Sequence, residues 1–190
     1  HFAARGLQFA RLLAGTLQRQ VSTCELVMDA LDGPRDFTQD ARFNEYDHQS
    51  LLRFFEGDRL QAIKASGDRR EYFAAIRSAM QKWSQHDDVV AGGESWSEFG
   101  ARIREGVAAA CAGLERDDNV LIVTSGGVIG RYTSEVLDAG ADTAIQLNLQ
   151  IRNTGVTEVI RPASGNARLV SFNAIPHLER SDRIDAITHS

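Results

Sequence analysis

The chain has little lysine, cysteine or proline and no long apolar run, and each shortage closes off a class of protein. Lysine stands only at 64 and 82, so the basic side chains are almost all arginine; they total 21 against 26 acidic residues, for a net charge of -5. No stretch gathers enough positive charge for a nucleic-acid footprint, and nucleic acid is not expected as a partner. Cys24 and Cys111 fall on apolar helical stripes without a paired or metal-ligand spacing, which predicts small core residues in a reducing compartment and no disulfide. No run approaches the roughly 18 apolar residues of a membrane span, and no charged segment leads into an apolar one at the N-terminus. A cytoplasmic location without membrane contact is therefore expected. The sequence opens on His1 rather than Met, so the natural start is expected to lie before it. What remains is 190 residues, 43% hydrophobic and 25% charged, with mean hydropathy -0.27, enough to bury the core of one domain.

Hydrophobic periodicity predicts a short helix over 7–14 (LQFARLLA) ending at Gly15, and a longer one over 17–31 striped by Leu17, Val21, Cys24, Met28 and Leu31. Asp32, Gly33 and Pro34 stop it. Segments 50–64 and 69–85 repeat with helical spacing around Ser66, Gly67 and Asp68, and form an expected helical insertion over about 50–90. Ser95 and Glu98 have the spacing of a capping box ahead of a helix whose apolar face is Trp96, Phe99, Ile103, Val107, Cys111 and Leu114. VLIVT at 120–124 lacks alternation, as a strand buried on both faces does, and runs through Ser125, Gly126 and Gly127 into a helix over about 128–138. Strands near 156–160 and 168–172 flank a turn-rich PASGNA segment and predict a hairpin or neighbouring strands. The expected class is α/β.

Four constellations could carry chemistry. The glycine pair at 126 and 127, between a buried strand and a helix, can turn backbone amides towards an anion such as phosphate, or simply permit a tight connection. Arg19, in TLQRQ at 16–20 with Thr16 as the candidate cap, is either an anion clamp or a solvated helix arginine. FNEYDHQ at 43–49 packs Glu45, Asp47 and His48 together outside helical amphipathicity. A carboxyl beside an imidazole suits acid–base work, a metal or a loop that bonds its own backbone; without a second ligand cluster no metal is expected. GGES at 92–95 reads as a turn before a capped helix.

In order, TLQRQ, NEYDH, GGESW, VLIVTSGGVIG and LQIRNTGVTEV resemble the histidine phosphatase superfamily, also called phosphoglycerate mutase-like, over about Gly6 to His177. The arrangement is most similar to a bacterial branch with NEYDH and with TSGG in place of a histidine before the glycines. The resemblance implies a three-layer α/β/α sandwich with a mostly parallel sheet as a single domain, no cofactor, a small phosphorylated substrate, and a histidine in an Arg-His-Gly motif that forms a phosphohistidine. By that resemblance Arg19 clamps the phosphate, Glu45 is the general acid, and Ser125, Gly126 and Gly127 form the phosphate-facing turn.

Two departures shape the expectation. Arg-His-Gly occurs nowhere in the 190 residues, and no strand is evident between Ala14 and Thr16, so both the nucleophile and the family's second strand are expected to lie outside this sequence. Ser125 stands where the family carries a donor histidine, and a neutral hydroxyl stabilises a phosphoryl group less, which makes His48 the candidate compensator. His86 is expected in a charged loop. The expected function is a phosphomonoester hydrolase, with the insertion as a lid. The alternatives are an inactive phosphate-binding or interaction module and mutase-type transfer. Substrate identity and oligomeric state stay open.

Overall fold

The computed structural model describes residues 1–31, 33, 36–57, 59–87, 89, 93–162, 164–179 and 181–189. The expected stop at Asp32 and Pro34, and Gly92 of the GGES turn, lie outside them. The chain forms two compact units, one of His1–Glu45 with Ile103–Ser190 and the other of Tyr46–Arg102.

The first unit is built on a parallel sheet of order β2-β1-β3, where β1 is Arg11–Ala14, β2 Thr38–Gln39 and β3 Val120–Val123. Helix α1 (Gln18–Asp29) follows β1, and Leu12, Ala14, Cys24 and Leu31 form a buried core with Phe2, Phe9, Phe37 and Leu121 packed on it. The helix expected over 7–14 is thus corrected to a strand. Leu12, Leu13 and Ala14 are buried in succession, and β1 has a parallel partner on each side, with Leu13 opposite Thr38 and Ile122. A run of that length closes barely one helical turn, whereas pairing satisfies both edges of its backbone. A strand therefore does end directly before TLQRQ, where none had been expected. The Arg11 guanidinium reaches the C-terminal end of α5 (Trp96–Cys111), donating to the carbonyls of Ala110 and Ala112 at 2.8 Å each.

After β3 come α6 (Gly126–Val136) and α7 (Ala141–Asn148); the second of these had no counterpart in the periodicity. They pack so closely that a Cβ on Gly130 would lie 2.7 Å from the carbonyl oxygen of Ala144 and 2.8 Å from the amide nitrogen of Asn148. The expected hairpin is present: β4 (Val156–Ile160) pairs antiparallel with β5 (Arg168–Ala174) in a sheet of its own. The mixed helix and strand composition around a parallel sheet is the α/β class that the sequence predicts.

The second unit is helical. Asp47 caps α2 (His48–Glu56), accepting from the amides of Gln49 and Ser50 at 3.0 and 3.1 Å, and Asp68 caps α4 (Arg69–His86), accepting from Arg70 N at 2.8 Å. Between them lies α3 (Arg59–Ser66). The single helix expected over 50–64 is two, because the backbone turns to positive φ at Gly57, a conformation that breaks a helix and suits glycine. Trp83 is fully buried, stands edge-on to Trp96, and donates its indole N–H to the Glu94 carbonyl at 3.1 Å. The capping box forms as expected: Glu98 N donates to Ser95 Oγ at 3.2 Å, and Ser95 N donates to Glu98 Oε2 at 2.8 Å. Among the described residues no helix is long and apolar enough to cross a membrane.

Candidate active site

Three segments distant in sequence meet in the first unit: the start of α1, the stretch from Asp40 to Glu45, and the turn from β3 into α6. Gly15 makes the first approach possible. A Cβ there would collide with the Gln20 side chain and lie 2.8 Å from Asn44 Oδ1, so the bare glycine leaves room for these two side chains as they stand. Thr16, the expected cap of α1, is instead tied to Asn44. Its amide donates to Asn44 Oδ1 at 2.7 Å, and its hydroxyl accepts from Asn44 Nδ2 at 2.8 Å. The Gln20 carboxamide oxygen accepts from Leu17 N at 3.4 Å and so serves the first turn of the helix.

Asp40 sets up the second segment. Its amide donates to the Ala14 carbonyl, and its carboxylate accepts from Arg42 N at 2.9 Å and from the guanidinium at 2.6–3.0 Å. That hydrogen bonding by Arg42 holds the Asp40 carboxyl below its ordinary range. The short turn that follows carries the buried Phe43, Asn44 and Glu45. The Phe43 carbonyl is a hub, accepting from Thr124 Oγ1 at 2.7 Å and from Gln20 Nε2 at 3.1 Å.

On the third segment Ser125 occupies the cap position of α6, but its hydroxyl makes no bond to the helix. It faces α1, accepting from Gln20 Nε2 at 2.9 Å and from Arg19 Nη2 at 3.4 Å. Glu45 Oε2 accepts from the amide of Gly127 at 2.8 Å, so a carboxylate already stands at the positive end of α6. Arg19 is exposed on the first turn of α1, where a cation is opposed by the helix dipole. Its guanidinium lies beside the Ser125 hydroxyl. A cation, a hydroxyl and a helix N-terminus lie together here, groups whose chemistry suits an anion, with the Glu45 carboxylate beside them on the Gly127 amide.

The structure therefore brings together Arg19, Glu45, Ser125, Gly126 and Gly127. His48 is the exposed first residue of α2, in the other unit. Asp47, weighed as a metal ligand, serves as the helix cap, its second oxygen accepting from Ser50 Oγ at 2.6 Å. His86 ends α4 rather than lying in a charged loop. His177 shares a 2.7 Å hydrogen bond with Thr154 Oγ1, and burial lowers its pKa.

Gln20 was missed by sequence reasoning. It lies one helical turn before Cys24 on the inward stripe of α1 and is only 2% exposed. A polar side chain on that stripe was the available signal. Asn44 and Thr124 gave none, because their partners come from elsewhere in the chain.

The sequence model of the histidine phosphatase superfamily (branch 1) matches residues 2–175. No curated protein matches the chain in sequence. Among solved structures, alpha-ribazole phosphatase from Shigella flexneri aligns at 17% identity and TM-score 0.61, over 90% of this chain and 76% of its own. A mycobacterial glucosyl-3-phosphoglycerate phosphatase aligns at 19% and 0.60, over 91% and 80%. A mutant phosphoserine phosphatase from Entamoeba histolytica in complex with phosphoserine aligns at 18% and 0.58, over 90% and 76%. At these identities the likeness is one of fold.

Proposed function

We propose that this chain, which belongs to the histidine phosphatase superfamily, is a phosphomonoester hydrolase that works through a phosphohistidine intermediate on a small phosphorylated substrate. One observation carries the proposal: Arg19 and Ser125, 106 residues apart in sequence, meet at the N-terminus of α6, where Glu45 also binds. Arg19 neutralises non-bridging oxygens of the phosphoryl group, and the Ser125 hydroxyl donates to one of them. A neutral imidazole attacks phosphorus as the ester oxygen departs, and that oxygen takes a proton from the Glu45 carboxyl group. Water then attacks the phosphohistidine, giving its proton to the Glu45 carboxylate, and inorganic phosphate leaves. The mechanism requires a nucleophilic histidine, which the family resemblance assigns to an Arg-His-Gly motif.

The test is brief exposure of the full-length protein to an aryl phosphate, followed by an alkaline quench and peptide mapping. A phosphoryl adduct on a histidine that is labile to acid supports the mechanism. Its absence at all times, with no release of phosphate, overturns it.

One observation favours a second reading, a phosphate-binding module without turnover: Ser125, at the cap position of α6, carries no charge. That reading requires saturable binding of inorganic phosphate with no hydrolysis by the full-length protein.

A further inference from the structure

Gln20 decides what the Ser125 hydroxyl can do. The Gln20 side chain is buried, and a buried carboxamide needs partners for two N–H donors and one oxygen. Its partners are the Phe43 carbonyl at 3.1 Å, Ser125 Oγ at 2.9 Å and the Leu17 amide at 3.4 Å. Two of the three are backbone groups with fixed character. A carbonyl can only accept and an amide N–H can only donate, so Nε2 must face Phe43 and Oε1 must face Leu17. It follows that an N–H, not an oxygen, points at Ser125. The other neighbour of that hydroxyl, Arg19 Nη2 at 3.4 Å, is also a donor without acceptor capacity.

A serine hydroxyl has two acceptor sites and one proton. Both protein neighbours donate to it, so neither takes its proton. We propose that Gln20 is a positioning residue which, by donating to Ser125 Oγ, commits the Ser125 proton to an oxygen of the bound phosphoryl group. This rests on the phosphoryl-site reading above. It also accounts for how a neutral serine serves there: the Gln20 N–H polarises the hydroxyl and fixes its direction, so the donated hydrogen bond is strengthened and costs no reorientation when the ligand arrives.

The experiment is a double-mutant cycle on the full-length protein, with orthovanadate and inorganic phosphate as probes in titration calorimetry. The variants are Gln20→Met, which keeps length and burial but donates nothing, Ser125→Ala, and the pair; thermal unfolding shows whether each folds. Gln20→Met and Ser125→Ala should each weaken vanadate binding by about tenfold, as for loss of one hydrogen bond to a charged group. In the Ser125→Ala background Gln20→Met should weaken it no further. Gln20→Glu, similar in shape but accepting from Ser125, should bind vanadate more weakly than Gln20→Met and supplies the comparison if the methionine variant fails to fold. Equal losses from Gln20→Met in both backgrounds, or unchanged affinity in Gln20→Met, would overturn the proposal while leaving the phosphoryl site intact. If the unaltered protein binds neither probe, the site reading fails and this inference falls with it.

Discussion

The amide of Gly127, in the first turn of α6, donates to Glu45 Oε2 at 2.8 Å, and so a residue 82 positions earlier supplies the carboxyl group at the head of that helix. In the proposed mechanism Glu45 is the acid that protonates the leaving alcohol of a phosphoryl group held by Arg19 and Ser125. Replacing Glu45 with Gln keeps the shape and removes the proton donor. The expected outcome is a kcat reduced about a hundredfold to ten-thousandfold on an alkyl phosphate, and a smaller loss on an aryl phosphate, whose phenolate leaves without protonation. Equal losses on both substrates would remove Glu45 from the role of acid.

Gly130 lies where α6 meets α7, and an added Cβ would strike backbone atoms of Ala144 and Asn148, which cannot swing aside. Gly130→Ala is expected to cost roughly 1–3 kcal/mol and to lower the thermal midpoint by several degrees, despite alanine's better helix propensity. Calorimetry decides: an unchanged or higher midpoint would mean that the two helices have room to part.

The Cys24 thiol is buried under β1, and burial, with Glu25 contributing, pushes its pKa up to about 11. Only the thiolate reacts with iodoacetamide, so at pH 8 Cys24 should resist alkylation in the native protein and react on unfolding, with the half-buried Cys111 modified first. Rapid native alkylation of Cys24, mapped by mass spectrometry, would contradict the packing of α1 on the sheet.

Asp40 is held below its ordinary pKa by hydrogen bonding from Arg42. A carboxyl whose folded pKa is depressed binds protons more readily in the unfolded chain, so its stabilisation is present above about pH 4 and is lost as pH falls towards the folded value. The stability difference between the unaltered protein and Asp40→Asn should therefore be constant near neutrality and shrink below about pH 4. Denaturant melts at several pH values check this. A difference that does not vary with pH would mean that the ion pair contributes nothing beyond the cap.

How far the sequence alone could be read follows the reach of each interaction. Ser95 and Glu98 are three residues apart and their reciprocal bonds were legible as spacing, as were β4 and β5 from their β-branched runs. The Leu12–Ala14 run was ambiguous because a short apolar stretch suits a helical turn as well as a central strand, and only β2 and β3 on either side decide it. In the site, Arg19 and Glu45 stood out locally as candidates, but only the order of the motifs linked them with Ser125. The Gln20 to Ser125 bond spans 105 positions, and no local rule encodes it.

The most direct measurement is steady-state hydrolysis of an aryl phosphate by the full-length protein and by Arg19→Ala. The account predicts saturable release of phosphate that falls by roughly a hundredfold to a thousandfold in Arg19→Ala, as when one preorganised donor to a charged transition state is removed. No turnover by the unaltered protein, or turnover that Arg19→Ala leaves unchanged, would contradict it.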